Sequence, residues 1–369
     1  MKIAFFVSNR TAFPGSQNEI TASTTVVASL IKHLSPSHDI TLYAAAGSVV
    51  PPRVKLVDLG LVPFLTDSHT TNADWATKAV IGMKQLYIGE LFSRASEYDI
   101  IHLHTEPSYL AMPYASLIDT PVLFTSHNEF HYSETPLFSF YEDRIHFSGL
   151  SKRQVERMPF KKTPPIIYNG VAIEEFPFVD TTHEKGYYLF FGRLHKDKGI
   201  FKFLELVHAL PSQRFLIAGK GDDETESIIK EAAATLPNLT FSGMAPYKGE
   251  VWFKLLSEAK ALIMPLQYED TCPLVPLEAM ACGTPVISYA IGALPEQIVD
   301  GVTGYLVKEN SLPALMKAVH EMESLDSVSY SSFRKESRNH VMNHFSDKRM
   351  ANEYERLYEQ ILSIHKRNR

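Results

Sequence analysis

The chain has 369 residues, of which 45% are hydrophobic and 21% are charged, and its formal net charge is -6. A chain of this length exceeds one ordinary hydrophobic core, so we expect two domains of about 150 to 200 residues each. The apolar content excludes an intrinsically disordered chain, and the acidic balance argues against a nucleic-acid-binding protein with a basic surface.

Short apolar runs alternate with segments of helical period along the first half of the chain. This alternation is typical of parallel sheets covered by helices. The segment 19–34 places Val26, Leu30 and Leu34 on one stripe, which predicts an amphipathic helix. The strands predicted in this half are 3–7, 40–44, 54–59, 100–103, 122–125, 145–148 and 164–169.

A second set of alternating runs follows residues 171–185, which have no period and which we interpret as a linker. The segment 347–364 has one apolar helical face, so it must pack on another part of the protein. The chain is thus predicted to be α/β, with Rossmann-like domains at 1–170 and 171–346 and a helix at 347–369 that can pack back on the first domain. The strands predicted in the second half are 187–192, 214–219, 239–242, 261–266, 285–289 and 304–307.

The cysteine content and the amino-terminal residues indicate the cellular compartment of the protein. Two cysteines, Cys272 and Cys282, exclude a disulfide scaffold and suit a reducing cytosol. The first ten residues, MKIAFFVSNR, lack the features of a signal peptide, and no apolar run reaches ~20 residues. We expect a cytoplasmic protein that at most contacts the inner face of a membrane. A solvated helix face is nevertheless the favoured interpretation of the basic cluster Arg153, Arg157, Lys161 and Lys162.

Loops that follow the predicted strands are the places to search for ligand sites, because ligands of open parallel sheets bind beyond the carboxyl ends of the strands. The loop at 9–18 contains Gly15 and Ser16, which leave room for a close backbone approach. The helix that follows offers free N–H groups to an anion. An ordinary turn explains the same residues.

Three histidines follow or lie within strands of the first half. His127 ends the run VLFTSH, where it could contact a sugar hydroxyl or a phosphate, or serve as a structural histidine. His102 and His104 alternate with apolar residues in DIIHLHTEP, and we interpret them mainly as packing residues.

The segment FGRLHKDKG, at 191–199, turns from a strand into a helix. Arg193 and Lys198 lie close to this turn. Two cations beside a helix N-terminus suit a diphosphate, with the guanidinium binding two oxygens at once. Solvated surface cations are the alternative.

The segment LIMPLQYEDTCPLVPLEAMACGTPVIS, at 262–288, carries the most specific pattern. Acids follow the strand at Glu269 and Asp270, and Pro273 is placed to open a helix. Glu278 lies within that helix among apolar neighbours, where a carboxylate needs a partner. A ribose diol supplies two donors to one carboxylate, although a salt-bridged helix glutamate is also physically adequate.

This segment resembles the signature of the retaining glycosyltransferases with the GT-B fold, family 4 or glycosyl transferases group 1. Its pattern is an acid, seven residues and a glutamate, here Asp270 and Glu278. FGRLHKDKG, IIYNGVAIEEF and ALPEQIVDGVTGYLV are similar to other segments of that family. The resemblance implies two Rossmann-like doubly wound domains that face each other across a cleft. The first would bind the acceptor and the second the nucleotide sugar.

Residue roles follow from the same resemblance. It implies that Glu278 holds the donor ribose, that Arg193 and Lys198 hold the diphosphate, and that Asp270 and His127 lie by the transferred sugar. These four, His127, Asp270, Arg193 and Lys198, are the expected catalytic residues. The expected donor-binding residues are Gly15, Ser16, Arg193, Lys198, Asp270, Thr271, Cys272, Leu274, Val275 and Glu278.

Two departures from the family pattern bear on donor selection. Asp270 stands where the family commonly has Glu, so its carboxylate is one methylene shorter. Cys272 and Pro273 replace a frequent Phe-Gly pair, and Pro273 cannot donate a backbone hydrogen bond. We expect the choice of donor sugar to differ accordingly from that of the commonest members.

The implied reaction moves a sugar from a UDP- or GDP-type donor to a hydroxyl of a glycan, lipid-linked or small-molecule acceptor, plausibly in surface polysaccharide synthesis. Developing diphosphate charge would be neutralised by Arg193, Lys198 and helix N-termini. Metal ions and other cofactors are not expected, because no His/Asp/Cys cluster has ligand spacing. Two alternatives are a sugar-nucleotide epimerase of the same architecture and a nucleotide-sugar-binding protein that has lost transfer activity. The oligomeric state is left open.

Overall fold

The computed structural model describes residues 1–15, 22–63, 73–104, 108–130, 132–178 and 186–367. It divides into two compact domains. The first comprises Met1–Gly170 together with Asp347–Arg369, and the second comprises Val171–Ser346.

Strands and helices alternate through both domains. In chain order they are β1 (Lys2–Val7), α1 (Ala22–Leu34), β2 (Asp39–Tyr43), β3 (Val54–Val57), α2 (Ala73–Ser93), β4 (Ile100–His104), α3 (Met112–Ala115), β5 (Val122–Thr125), α4 (Thr135–Tyr141), β6 (His146–Ser148), α5 (Lys152–Glu156), β7 (Tyr187–Phe191), α6 (Ile200–Ala209), β8 (Phe215–Ala218), α7 (Asp223–Thr235), β9 (Leu239–Gly243), α8 (Glu250–Glu258), β10 (Ala259–Met264), α9 (Leu274–Ala281), β11 (Val286–Tyr289), α10 (Leu294–Gln297), β12 (Gly304–Val307), α11 (Leu312–Glu323), α12 (Ser327–His344) and α13 (Asp347–Arg367).

The described residues of the first domain form a sheet of six parallel strands in the order β3-β2-β1-β4-β5-β6. Both faces of such a sheet are covered, and alternate residues of each strand point to opposite faces. Phe6 stacks on Tyr87 of α2, whereas its neighbour Phe5 lies beside the rings of His102 and His104. The face that carries these histidines is therefore opposite to α2.

The carboxy-terminal helix α13 packs against α1 and covers this histidine-bearing face. Its buried residues include Met350, Tyr354, Tyr358 and Ile361, which recur at helical spacing. The ring of Tyr354 lies 5.0 Å from the ring of His102. Residues distant in sequence thus complete the core of the first domain.

The described residues of the second domain also form six parallel strands, in the order β12-β11-β10-β7-β8-β9. From β7 the chain moves outward through β8 and β9, then returns to β10 on the other side of β7. The strand order therefore reverses between β7 and β10. Loops diverge at such a switch point and leave a crevice outside the carboxyl ends of the two strands. In the first domain the order reverses in the same way between β1 and β4.

The predicted strand at 164–169 does not form. Only Ile166 makes a parallel bridge, to Gly149. Pro164 and Pro165 lack the N–H groups that strand pairing requires, which explains the difference. Each of the other predicted strands overlaps one of the twelve observed in the described residues.

Candidate functional site

The loop after β7 reaches the switch point of the second domain through a sharp turn. A 3-10 turn at Lys196–Lys198 begins at His195, whose ring accepts a hydrogen bond from the backbone of Asp197. Gly199 ends the turn with a φ of 83° and begins α6. A Cβ there would lie 1.9 Å from the carbonyl oxygen of Pro265. Glycine is therefore required on two grounds, and the close approach holds Lys198 beside the loop that leaves β10.

Lys198, Tyr268 and Asp270 form a closed triangle. The Lys198 ammonium lies 2.7 Å from Oδ2 of Asp270 and 2.5 Å from the Tyr268 hydroxyl, which itself donates to Oδ2 at 2.5 Å. Burial, and then the negative charge of Asp270, raise the pKa of Tyr268. An ammonium has three N–H donors, so this arrangement leaves Lys198 one donor for a ligand. Tyr268 was not among the residues predicted from the sequence.

Arg193 is exposed and forms no hydrogen bond or ion pair with the described part of the chain. Its neighbour Gly192 lies close to α9, because a Cβ at Gly192 would be 3.8 Å from Cγ2 of Val275. Val275 and Glu278 are three residues apart on α9 and hence on one helix face. The backbone beside Arg193 therefore lies close to the helix that carries Glu278.

Glu278 is a buried acid, only 4% exposed. Its Oε1 accepts a hydrogen bond of 3.2 Å from the hydroxyl of Tyr247, which lies in the loop after β9. Burial raises the pKa of Glu278 to about 7, against the smaller lowering effects of the Tyr247 hydroxyl and the charge of Lys248. Lys248 pairs directly with Glu175. The Glu278 carboxyl is thus in an environment that disfavours its charged form unless further donors arrive.

The remaining residues predicted around Asp270 line the start of α9. Thr271, Cys272 and Leu274 are buried, and Val275 is partly buried. The Cys272 thiol receives a hydrogen bond of 3.2 Å from the Gln297 side chain, which holds it away from solvent. Pro273 is the N-cap of α9 and supplies no side-chain cap. The first N–H groups of α9 therefore have no acceptor in the Pro273 side chain.

Two donor-binding residues were predicted in the loop after β1, and the structure describes one of them. Gly15 is partly buried and has a φ of 104°, a conformation that favours glycine. Ser16 lies outside the described residues.

His127 lies beyond β5 and contacts His104 of β4, which in turn contacts His102. His104 Nδ1 lies 2.8 Å from His127 Nε2, and His104 Nε2 lies 3.3 Å from His102 Nδ1. Burial lowers the pKa of His127 to about 4 and holds those of His102 and His104 well below their usual range. The interpretation of His102 and His104 mainly as packing residues is therefore incomplete, because both extend a hydrogen-bonded array from His127.

The basic cluster after β6 is partly paired with acids. Lys161 lies 3.1 Å from Glu142, and Arg157 lies 3.9 Å from Glu129. These pairings support the interpretation of the cluster as a solvated surface. No helix among the described residues is both long and apolar enough to span a bilayer.

Comparison with known proteins identifies the second domain. Residues 172–340 match the family model "Glycosyl transferases group 1", which covers almost all of Val171–Ser346. The chain carries a glycosyl transferases group 1 domain. The resemblance to glycosyl transferases group 1 is thereby confirmed, and the signature residues Asp270 and Glu278 lie within the matched segment.

A curated relative of this glycosyl transferases group 1 domain is alpha-maltose-1-phosphate synthase from Mycobacterium tuberculosis. The two are 30% identical over 129 residues, which are 32% of this chain and 32% of the relative. The chain therefore matches about a third of that relative's length.

Solved structures resemble the chain as a whole. Sucrose-phosphate synthase from Thermosynechococcus elongatus matches with a TM-score of 0.80 and 18% identity, covering 99% of this chain and 100% of that one. HepE from Anabaena, solved in complex with UDP and glucose, matches with a TM-score of 0.72 and 14% identity, covering 98% and 100%. At these identities the likeness shows the fold. The predicted fold class, two Rossmann-like domains of the GT-B type, is confirmed.

Proposed function

We propose that the protein is a retaining glycosyltransferase that moves a sugar from a nucleoside diphosphate donor to a hydroxyl of an acceptor. One observation carries this proposal. An exposed guanidinium, an ammonium–carboxylate pair and a buried carboxyl gather at the switch point of the glycosyl transferases group 1 domain. The solved HepE complex, which contains UDP and glucose, supports a UDP-sugar donor.

We infer a role for each group of the proposed donor site from its charge and its partners. Glu278 would accept hydrogen bonds from the two ribose hydroxyls, which would stabilise the ionised form of this buried carboxyl. Lys198 is already neutralised by Asp270, whereas Arg193 has no ion pair in the described part of the chain. Arg193 is therefore the main cation for the diphosphate, and Lys198 contributes its remaining N–H donor.

The proposed reaction breaks the bond between the anomeric carbon and the diphosphate oxygen. Arg193, Lys198 and the N-terminal N–H groups of α6 and α9 stabilise the charge that develops on the leaving diphosphate. The acceptor hydroxyl attacks the face that the diphosphate leaves, and its proton passes to a diphosphate oxygen. Asp270 and His127 hold hydroxyls of the transferred sugar, and the first domain binds the acceptor. The proposal uses these protein groups alone, without a metal ion.

The first experiment identifies the donor. The melting temperature of the full chain is measured with each of a panel of UDP- and GDP-sugars, since a bound ligand stabilises the fold by mass action. Nucleotide release is then measured with and without pooled glycan, lipid-linked and small-molecule acceptors. We expect release that depends on an acceptor and a product that keeps the anomeric configuration. Arg193→Ala should lower kcat/KM by about 100-fold or more, the usual effect of removing one transition-state donor. Glu278→Gln should weaken donor binding by about 10-fold.

Lys202→Ala is the matched control for Arg193→Ala. It removes a cation from the first turn of α6 that is already paired with Glu205 at 2.9 Å, so transfer should be unchanged. Nucleotide release without any acceptor, together with an altered sugar, would instead support the epimerase alternative. Donor binding without turnover for every acceptor would support a binding protein. Equal kinetics for Arg193→Ala, Glu278→Gln and the unaltered chain would refute the site assignment.

A further inference from the structure

A continuous hydrogen-bonded array runs through the interior of the first domain. It begins at His127, passes through His104 and His102, and ends at the hydroxyl of Tyr358 on α13, which lies 2.6 Å from His102 Nδ1. His102 Nε2 lies 2.8 Å from Oγ1 of Thr125. The array joins the switch point of the first sheet to the helix that covers its face. Of its members, only His127 has a role in the donor site proposed above.

Burial favours the neutral form of the three imidazoles of this array. His102 is fully buried and His104 is 1% exposed. Desolvation is the main cause that lowers the pKa of all three rings. A neutral imidazole has one nitrogen that donates and one that accepts. The tautomer of each ring therefore dictates the tautomer of the next.

Tyr358 sets the direction of the array. Its buried hydroxyl makes one hydrogen bond with the described residues, to His102 Nδ1, and a buried hydroxyl hydrogen needs an acceptor. Tyr358 therefore donates, and His102 carries its proton on Nε2, facing Thr125.

The same logic extends outward along the array. His102 Nδ1 accepts from Tyr358, so an unprotonated His104 Nε2 would place a second lone pair 3.3 Å from it. His104 therefore carries its proton on Nε2, where it shares the lone pair of His102 Nδ1 with Tyr358, and its own Nδ1 is an acceptor. That nitrogen accepts from Nε2 of His127. The hydrogen bonds within the array therefore require a His127 ring that is protonated on Nε2.

We propose that His104 is a positioning residue for His127, and that His102 and Tyr358 fix the tautomer of both rings. A His127 ring held in this tautomer and orientation would contact a hydroxyl of the transferred sugar. This inference rests on the proposed function for the role of His127 but not for the tautomer. A cluster that served only to hold α13 on the sheet would leave kcat insensitive to whether the side chain at position 104 can hydrogen-bond to His127.

The tautomer is tested on the full chain labelled with ¹⁵N-histidine. Two-bond ¹H–¹⁵N correlation spectra show which nitrogen of each neutral ring carries the proton, and single His→Gln variants assign the signals. We expect His127 to be protonated on Nε2 in the unaltered protein. Tyr358→Phe removes only the hydroxyl and should shift the signals of all three rings. The control Tyr354→Phe removes a hydroxyl one turn away that contacts Thr125, and it should shift His127 less.

Two variants of His104 test positioning through kinetics. His104→Asn places an amide where Nδ1 stands and can still bond to His127, whereas His104→Gln reaches the Nε2 position and loses that bond. We expect Gln to lower kcat by about 10-fold with little change in donor KM, and Asn to recover most of the loss. Melting temperatures identify variants whose fold is damaged.

The outcomes separate this inference from the proposed function. Protonation of His127 on Nδ1 in the unaltered protein, or spectra of His127 unchanged by Tyr358→Phe and His104→Gln, would overturn the inference whether or not transfer occurs. Equal kcat for the Asn and Gln variants would overturn the positioning role. A chain that transfers no sugar refutes the proposed function, while the spectra still decide the tautomer.

Discussion

Glu278 links the ionisation of one side chain to the stability of the second domain. Its folded pKa is raised to about 7 from 4.5, chiefly by burial. Between these pH values the folded state holds a proton that the unfolded state has lost. The contribution of Glu278 to stability is therefore greatest at or below pH 4.5 and falls as the pH rises to about 7. The full effect is at most about 3 kcal/mol.

We predict that Glu278→Gln removes this dependence. Urea unfolding of the unaltered chain and the variant should show the variant gaining relative stability between pH 5 and pH 8, because Gln is never charged. Glu258→Gln serves as the control, since Glu258 is a half-exposed helix residue that lies 4.0 Å from Lys254. A variant whose stability relative to the unaltered chain is constant across this range would contradict the raised pKa of Glu278.

At the scale of elements, the turn from β7 into α6 depends on Gly199. Its φ of 83° is left-handed, and an added Cβ would collide with the carbonyl of Pro265 at 1.9 Å. Two elements that meet at the switch point, α6 and the end of β10, are thus held at backbone contact. The contact between Gly199 and Pro265 also brings Lys198 to Asp270. The tight turn at Gly199 therefore helps to form the proposed donor site.

We predict that Gly199→Ala destabilises the second domain by at least ~2 kcal/mol, through backbone strain and the displaced Pro265. Gly301→Ala is the matched control, because Gly301 has a φ of 73° but open space around its Cβ position. It should cost about 1 kcal/mol. Urea unfolding of both variants gives the difference. Equal losses for the two variants would show that the contact with Pro265 contributes nothing.

At the scale of the whole molecule, the two domains differ in how the chain builds them. The second domain is one continuous segment, Val171–Ser346, whereas the first needs α13 from the end of the chain. Tyr354 and Tyr358 of α13 are fully buried against the histidine-bearing face of the first sheet. Removal of α13 would expose this face and leave Nδ1 of His102 and the hydroxyl of Thr125 without their tyrosine partners.

We predict that the fragment 171–346 folds cooperatively by itself and retains nucleotide binding, while the fragment 1–170 does not fold. Circular dichroism during thermal unfolding, with calorimetric titration of the nucleotide found for the full chain, measures both properties. Adding 347–369 to 1–170 as a separate peptide should restore structure. A folded 1–170 without that peptide would contradict the role assigned to α13.

Sequence patterns determined the elements and the signature. Strand–helix alternation depends on local residue spacing, so the two parallel sheets and the amphipathic face of α13 could be predicted without coordinates. Glu278 could be found because an acid in an apolar helix pattern stands out, and Asp270 because it follows a predicted strand. The matched family segment includes both. The prediction of a strand at 164–169 was wrong for a local reason as well. It relied on the apolar residues of the segment, although its two prolines cannot donate backbone hydrogen bonds to a neighbouring strand.

Tertiary structure decided which groups meet. Neither Tyr268 nor Tyr247 stands out in the sequence, yet they contact Asp270 and Glu278. His102 and Tyr358 are separated by 256 positions and meet only because α13 folds back on the first sheet. A periodic pattern shows which face of an element is buried but carries no information about what buries it. The partners of a buried polar group depend on long-range packing, and only the folded chain brings them within hydrogen-bond distance.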